Sequence, residues 1–197
     1  MNINIAVAFS KNYGIGFENN LPWSHLKEDM RLFSKRTIGS GNNAVIMGKN
    51  TWFSIPECRR PLKNRTNIVV SSSLSSSHLS HLDGNPHVFS SVNDAVTFCE
   101  SAEYEELWVI GGSRIYNEFL NTYCDKINRV YITYVCGDYE CDTFIDFSAS
   151  NYCVENESYH GGDKCYYLTC IHINHPELDN NKNYSTLEMI LKKSRYL

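Results

Sequence analysis

An acidic residue at the edge of an apolar helix face is the first candidate for chemistry in this sequence. Leu26, Met30 and Phe33 recur at i, i+4 and i+7, so an α-helix places them on one face. Asp29 lies on the border of that face, whereas Glu28 points nearly opposite, towards solvent. Partial burial raises the pKa of a carboxyl group and suits it to proton transfer near neutral pH. A surface aspartate paired with Lys or Arg is an equally good interpretation.

Two junctions between a predicted strand and a predicted helix have the composition of phosphate-binding sites. Val45–Thr51 places a glycine, a lysine and a hydroxyl group at the start of a helix, and Val109–Tyr116 does so with paired glycines. Free N–H groups and the helix dipole attract anions at such positions. Glycine also serves tight turns, and neither segment matches the dinucleotide fingerprint or the P-loop. We therefore predict anion binding without a Rossmann or NTPase assignment.

The segment Asn12–Trp23 forms a loop after the first predicted strand. It contains Gly14-Ile15-Gly16 and closes on Pro22-Trp23. Anchored by a rigid proline and a large aromatic side chain, such a loop can act as a flap over a ligand. An ordinary surface loop with turn glycines is the alternative, and a Gly-x-Gly pattern alone favours that alternative.

A short basic cluster, Arg60–Arg65, precedes another predicted strand. Arginine suits a carboxylate because its guanidinium group donates two parallel hydrogen bonds. The cluster is therefore either a clamp for a substrate carboxylate or a solvated loop.

The composition restricts the class of protein that these residues serve. The chain has 197 residues, the size of one domain with a short appendage. Apolar residues make up 42% and charged residues 20%, which excludes general disorder. A net charge of −4 argues against a dedicated nucleic-acid-binding protein.

No segment indicates a membrane, a secretory route or a metal site. Apolar runs stay well below the ~20 residues of a membrane span, and the N-terminus lacks a secretory pattern. We therefore expect a soluble cytoplasmic protein. The eight cysteines include no CxxC pair, and the pairs His78/His81 and His172/His175 lack cysteine partners at zinc-finger spacing. We expect reduced thiols and no bound metal.

Strand-like and helix-like segments alternate along most of the chain. The first strand has apolar side chains on one face, at every second residue over Ile3–Phe9. Predicted helices follow at Ser24–Ile38, Lys49–Ile55, Val92–Glu100 and Ser113–Leu120. Such alternation is typical of an α/β domain with a mostly parallel sheet covered on both faces. Two final strands around Gly161-Gly162-Asp163 predict an antiparallel hairpin at one edge.

The chain after residue 175 is polar and then has a helix-start signal. Ser185 and Glu188 have capping-box spacing, and Leu187, Ile190 and Leu191 follow on one face. We therefore divide the chain into a domain over 1–175 and an extension over 176–197. The extension is a helix docked on the domain, an oligomer contact or a frayed tail, and the sequence does not decide among them.

Together these motifs resemble the dihydrofolate reductase family. The matching segments follow the family's order over about residues 3–173 and are Gly14-Ile15-Gly16, Leu21-Pro22-Trp23, Asp29 with Phe33, Val45–Lys49, Thr51–Pro56, Arg60–Lys63 with Arg65, Ile110–Gly112 with Tyr116, and Asp142–Phe144. The resemblance implies one domain with an eight-stranded sheet and about four flanking helices. It also implies reduction of 7,8-dihydrofolate to tetrahydrofolate with NADPH, a role in one-carbon metabolism, and inhibition by antifolates. We expect a monomer.

The resemblance assigns substrate and catalytic roles to individual residues. Asp29 would bind the pterin amino group and ring nitrogen, while Trp23 and Thr133 would hold the water that protonates N5. Arg65 would pair with the α-carboxylate of the glutamate tail. The other substrate-binding residues would be Ile5, Ala6, Met30, Phe33, Ser54, Ile55, Leu62, Ile110 and Tyr116.

The resemblance also assigns the cofactor site. Residues near the nicotinamide would be Ala8, Ile15 and Gly16. The rest of NADPH would contact Lys49, Asn50, Thr51, Ser71, Ser72, Ser73, Gly111, Gly112, Ser113, Arg114, Ile115 and Tyr116. In the family the peptide bond between Gly111 and Gly112 is cis. Ser72 stands where many relatives place an arginine beside the 2′-phosphate, but Lys49 and the hydroxyl groups still favour NADPH over NADH.

Two other functions fit parts of the pattern. One is a non-catalytic pterin- or nucleotide-binding module that interacts through the C-terminal helix. The other is a pyrimidine reductase of the riboflavin pathway, which shares the fold but does not need Asp29, Arg65 and Leu21-Pro22-Trp23 together. The presence of the acid, the clamp and both phosphate-type junctions favours dihydrofolate reduction.

Overall fold

The computed structural model describes residues 1–79, 86–179 and 182–193. Within these ranges the chain forms eleven β-strands and six α-helices. The strands are β1 Asn2–Phe9, β2 Gly14–Gly16, β3 Asn43–Gly48, β4 Thr66–Val70, β5 His87–Phe89, β6 Glu106–Val109, β7 Ile127–Val135, β8 Thr143–Phe144, β9 Tyr152–His160, β10 Cys165–His172 and β11 Ser185–Thr186. The helices are α1 Lys27–Ile38, α2 Lys49–Ser54, α3 Ser76–Leu79, α4 Val92–Ser101, α5 Ser113–Thr122 and α6 Leu187–Lys193.

Nine of these strands form one sheet in the order β11-β9-β10-β7-β1-β6-β3-β4-β5. Neighbours from β7 to β5 in that order pair in parallel, whereas β9, β10 and β11 pair antiparallel at one edge. The α/β class, the mostly parallel sheet and the C-terminal hairpin are therefore confirmed. The remaining strands, β2 and β8, form a separate antiparallel ribbon.

The sheet has one strand more than the eight that the resemblance implied. Ser185 and Thr186 pair with Val154 and Cys153 and extend the antiparallel edge. The ninth strand therefore comes from the extension after residue 175. A strand of two residues shows no alternation, so the sequence pattern could not reveal it.

The sheet separates two apolar layers. Alternate side chains over Ile3–Phe9 are buried in the layer that also contains α4, α5 and α6. The opposite layer contains Met47, Trp52 and Trp108, with Ala6 packed at its margin. Because the β1 side chains on this second face are small, the sheet can be approached closely there.

The four predicted helices are present with shifted ends, and the largest shift is at the start of α1. This helix begins at Lys27 rather than Ser24. The carboxylate of Asp163, in the turn between β9 and β10, accepts a hydrogen bond from the Glu28 N–H group at 3.2 Å. That partner satisfies one of the free N–H groups at the helix start.

Two further short helices lie where no domain helix was predicted. The serine-rich segment Ser71–Ser80, predicted as a loop, contains α3, although Ser80 lies outside the described residues. The other short helix is α6, in the extension. Its side chains Leu187, Ile190 and Leu191 are 0%, 5% and 7% exposed and pack in the domain core. Residues 187–193 therefore dock on the domain.

Candidate active site

A cavity of about 710 Å³ lies between α1, α2 and the segment that precedes β4. The predicted substrate residues that line it are Met30, Phe33, Ser54, Ile55, Leu62, Arg65 and Ile110. Trp23 also lines it, with its ring 6% exposed and in edge contact with Tyr139 at 5.7 Å. The cavity thus has mainly apolar walls and a guanidinium group in its lining, as suits a flat substrate that carries a carboxylate.

Asp29 is half-buried and accepts a hydrogen bond from the Thr133 hydroxyl group at 2.6 Å. Burial raises the pKa of the Asp29 carboxyl group, and the Thr133 hydrogen bond and the charge of Arg36 oppose this rise. Neither Asp29 nor Thr133 is part of the cavity lining, but Asp29 is the chain neighbour of Met30, which is. The acid at the edge of the apolar helix face is therefore partly desolvated and has a hydroxyl partner.

Arg65 is half-buried at the wall of the same cavity. Its guanidinium group donates to the Thr37 hydroxyl group and to the Lys63 carbonyl group, and it lies 5.7 Å from the centre of the Phe33 ring. Burial lowers its pKa to about 10. A desolvated guanidinium group without a carboxylate partner among these contacts is suited to bind one from a ligand.

Ile5 and Ala6 lie behind the cavity rather than on its wall. The Ile5 side chain is 1% exposed in the core. The Ala6 carbonyl group accepts a hydrogen bond from the Tyr116 hydroxyl group at 2.8 Å. Burial raises the pKa of that hydroxyl group, and the nearby Asp29 charge adds to the rise. Contacts of Ile5 and Ala6 with a ligand stay predictions that concern their main-chain groups.

A second cavity, of about 230 Å³, adjoins the first. Both cavities are lined by Asn20, Leu21, Thr51, Ser54 and Ile110. The predicted cofactor residues that line the second one are Ala8, Ile15, Gly16, Asn50, Thr51, Gly112, Ser113 and Tyr116. The two cavities therefore meet, and a ligand in one can touch a ligand in the other.

A third cavity, of about 300 Å³, continues the groove. Its predicted lining residues are Lys49, Asn50, Thr51, Ser71, Ser72, Ser73, Gly112, Ser113, Arg114 and Ile115. The Lys49 ammonium group donates to the Ser73 hydroxyl group at 2.9 Å. Cationic, hydroxyl and main-chain groups at the start of α5 thus converge on one groove, which suits the phosphates of a dinucleotide.

Gly111 forms the turn between β6 and α5 and is not part of the cavity lining. Its φ is +108°, and a Cβ atom would lie 2.8 Å from the Tyr116 ring. Its carbonyl group accepts a hydrogen bond from the Gly48 N–H group at 2.8 Å. The peptide bond to Gly112 is cis, as the resemblance implied. Glycine is therefore required here for close packing, and the two phosphate-type junctions are joined through it.

Sequence reasoning missed several residues at these cavities. The first cavity is also lined by Asn20, Leu21, His25, Ser34, Pro56, Cys58, Arg59 and Lys63. The second is also lined by Asn19 and Thr143. Asn19, Asn20 and Leu21 belong to the loop that was predicted to act as a flap, so only their individual contacts were missed. Arg59 and Lys63 adjoin or belong to the basic cluster, but composition does not show which cation faces a cavity.

Other candidate sites are few in the part of the chain that the structure describes. No group of three or more His, Cys, Asp or Glu residues there could hold a metal ion. His81 lies outside those residues, so the His78/His81 pair is not described. The eight cysteines are not joined by disulfide bonds. None of the described helices has the length and apolar character needed to cross a membrane.

Comparison with known proteins agrees with this geometry. The family model described as "Dihydrofolate reductase" matches residues 2–175. The dihydrofolate reductase of Schistosoma mansoni is 40% identical over 151 residues, 73% of this chain and 77% of that protein. The viral dihydrofolate reductase of Saimiriine herpesvirus 2 is 39% identical over 76% of this chain and 71% of its own length. The Gallus gallus dihydrofolate reductase is 37% identical over 72% and 77%. On this evidence, the chain belongs to the dihydrofolate reductase family.

Proposed function

We propose that this chain is an NADPH-dependent oxidoreductase that reduces 7,8-dihydrofolate to 5,6,7,8-tetrahydrofolate, in support of one-carbon metabolism. The proposal is carried by the junction of the two cavities. They share Thr51, Ser54 and Ile110, so a pterin in the first can face a nicotinamide in the second. Hydride transfer requires such contact between the two reactants.

The pterin is held by Asp29 and by the apolar walls. The Asp29 carboxylate accepts hydrogen bonds from the amino group and a ring nitrogen of the pterin, while Thr133 donates to the same carboxylate. Phe33 packs on the rings, with Met30 and Leu62 along the channel. Asp29 therefore fixes both the orientation of the ring and the charge beside it.

Arg65 binds the glutamate tail of the substrate. Its guanidinium group is desolvated, so a carboxylate would restore the interactions that water supplies elsewhere. Asp29 thus fixes the pterin end of the substrate, and Arg65 fixes the carboxylate of its glutamate tail.

Protonation at N5 proceeds through water rather than directly from Asp29. The carboxylate is occupied at the far side of the ring, so Trp23 and Thr133 hold the water that delivers the proton. Burial raises the pKa of the Asp29 carboxyl group above its ordinary value, and the carboxylate that binds the pterin supplies negative charge beside the ring. The acid acts as the source of a local field and as the anchor of the substrate.

The groove formed by the second and third cavities holds the cofactor. NADPH, when bound, supplies the hydride that reaches C6 of the pterin. Ala8, Ile15 and Gly16 contact its nicotinamide end. The start of α5 and Lys49 hold the phosphates, and the hydroxyl groups of Ser71–Ser73 bind the 2′-phosphate with Lys49. Because Lys49 remains beside those hydroxyl groups, NADPH is preferred to NADH.

The cellular setting follows from the same assignment. We infer, from the family to which the chain belongs, that the protein acts as a cytoplasmic monomer. Antifolates, which carry a flat ring and often a carboxylate, bind in the first cavity and compete with dihydrofolate.

The test is a turnover assay with the purified full chain. NADPH absorbance should fall only when dihydrofolate is also present, and more slowly with NADH in its place. Binding of dihydrofolate by a folded protein that consumes no NADPH would instead show a non-catalytic pterin-binding module.

A further inference from the structure

The C-terminal extension packs beside the loop that lines the cofactor groove. It lies beyond residues 2–175, the region that the family model matches. Even so, Ile190 and Leu191 are buried in the same apolar cluster as Phe9 and Phe147, with Tyr13 packed against it. The extension is therefore part of the core next to an active-site element.

Aromatic contacts join Phe147, which belongs to the same apolar cluster as the buried residues of α6, to Phe9 and to Tyr13 of that loop. The Phe147 ring lies 5.9 Å from the Tyr13 ring and 6.0 Å from the Phe9 ring. A cavity of about 130 Å³ separates Lys11 and Tyr13 on the loop side from Glu188 and Leu191 on the helix side. The loop residues at this cavity thus face α6 rather than bulk solvent alone.

A short path leads from this contact to the cofactor groove. The Tyr13 carbonyl group accepts a hydrogen bond from the Ile145 N–H group at 3.1 Å, just after β8. β8 pairs with β2, and Ile15 and Gly16 of β2 line the second cavity. Asn12 and Tyr13 both have φ of +60°, a conformation that non-glycine residues adopt only where their surroundings favour it. A helix that packs here can therefore set the position of the cavity wall.

We propose that the segment 185–193 positions the active-site loop, with Ile190 and Leu191 as positioning residues that hold it in the conformation that covers NADPH. The proposal rests on the proposed function, because NADPH binding is its readout. If the loop covers the groove only part of the time, the apparent affinity for NADPH falls by that fraction. Arg65, which is proposed to hold the glutamate tail, lines the first cavity and not the 130 Å³ cavity beside α6, so its contribution to dihydrofolate binding should be kept.

The experiment compares Leu191→Ala with Met189→Ala in the full chain. Leu191 is 7% exposed and Met189 is 52% exposed on the same helix, so the second variant is a matched control. NADPH binding is followed by quenching of protein fluorescence, and KM is measured for NADPH and dihydrofolate separately. We expect Leu191→Ala to raise the apparent Kd and KM for NADPH roughly three- to tenfold, with a smaller change for dihydrofolate. Leu191→Met should restore both values, and Met189→Ala should leave them unchanged.

A milder variant and a second measurement distinguish a general loss of folding from a specific effect on NADPH binding. Leu191→Val removes less of the side chain, and thermal unfolding of each variant is recorded beside its binding constants. The proposal would be overturned if Leu191→Val and Leu191→Ala lowered Tm but left the ratio of KM for NADPH to KM for dihydrofolate unchanged. That result would show that α6 has a purely structural role. Absence of turnover in the unmodified chain that still binds NADPH would instead refute the proposed function and leave this inference to the binding data.

Discussion

The proposed substrate cavity and the proposed cofactor groove differ in the kind of polar group that they offer to a ligand. At the first, the side chains to which we assign recognition are Asp29, next to the cavity, and Arg65, in its lining; both are half-buried and both have a shifted pKa. In the groove, the polar groups are the main chain around Gly112, partly exposed hydroxyl groups and Lys49, for which the contact with Ser73 lies at the surface.

This difference indicates how strongly ligand binding in each region depends on single side chains. A desolvated charge interacts strongly with a ligand, because little water competes with it or screens it. Exposed cations and hydroxyl groups each contribute little to the binding free energy of a ligand, and several of them can contact the same ligand group. We therefore expect single side-chain substitutions to damage the substrate cavity severely and the cofactor groove mildly.

The largest effect is expected for Asp29→Asn. The amide keeps the shape of the side chain but cannot supply the negative charge beside the pterin, so kcat/KM for dihydrofolate should fall by about 100-fold or more at neutral pH. Steady-state kinetics measures this. Glu28→Gln is the matched control, since Glu28 pairs with Arg31 at the surface and should leave turnover unchanged. Equal turnover of Asp29→Asn and the unmodified chain would remove Asp29 from its proposed role.

The same variant makes a prediction about stability. The raised pKa of Asp29 means that the folded protein binds this proton more tightly than the unfolded chain. The contribution of protonated Asp29 to the free energy of unfolding is fully present below the ordinary pKa of aspartate. It is lost as the pH rises through the raised pKa of the folded state. At neutral pH the ionised, partly buried carboxylate therefore destabilises the folded state, so Asp29→Asn should raise Tm at that pH. A lowered Tm at pH 7 would contradict the partial desolvation on which the site depends.

Arg65→Ala is expected to have the next largest effect. Removal of a desolvated guanidinium group should raise KM for dihydrofolate roughly 10- to 100-fold, the range for a hydrogen-bonded charge pair. KM for NADPH should change little, because Arg65 lines only the first of the three cavities. Arg31→Ala, on the exposed side of α1, is the control. A truncated substrate without the glutamate tail should show no difference between Arg65→Ala and the unmodified chain.

Thr133→Val tests the partner of the acid rather than the acid itself. In the unmodified chain the Thr133 hydroxyl group donates to Asp29 at 2.6 Å, and this hydrogen bond lowers the pKa of Asp29. Because Thr133→Val removes the hydroxyl group, the pKa of Asp29 should rise further. The acidic limb of the pH profile of kcat/KM should therefore move to higher pH, with a loss of about tenfold near its midpoint. Thr133→Ser keeps the hydroxyl group and should keep the profile. An unshifted profile in Thr133→Val would mean that this hydrogen bond does not tune Asp29.

Local sequence signals pointed to part of the proposed substrate cavity, and the family resemblance implied further residues of it. The helical period placed Asp29 at the edge of the apolar face that contains Phe33, and the basic cluster Arg60–Arg65 offered a carboxylate clamp. The roles of these residues towards a substrate were implied by the family resemblance. Their spatial neighbours needed the structure. Asp163 contacts the start of α1 from 135 positions away along the chain, and no periodicity links residues so far apart.

The extension shows the same limit more clearly. The spacing of Leu187, Ile190 and Leu191 predicted an apolar helix face, and those side chains are buried. It could not predict what covers that face, because the answer lies in β9 and in residues Ala149–Asn151, which are distant in sequence and lie next to α6 only in the fold. Nor could a strand of two residues, Ser185–Thr186, be recognised before its pairing with β9 was seen.

The smallest effect is expected for Lys49→Ala, and it tests the cofactor side of the comparison. Lys49 is partly exposed and shares its site with Ser73 and with the start of α5, so the other groups retain most of the phosphate binding. KM for NADPH should rise only about three- to fivefold, as for one screened surface charge, while KM for NADH changes less because it lacks the 2′-phosphate. Lys126→Ala, a surface lysine paired with Glu100, is the control. A loss as large as that of Arg65→Ala would show that the groove also depends on a single side chain, and the contrast between the two regions would then fail.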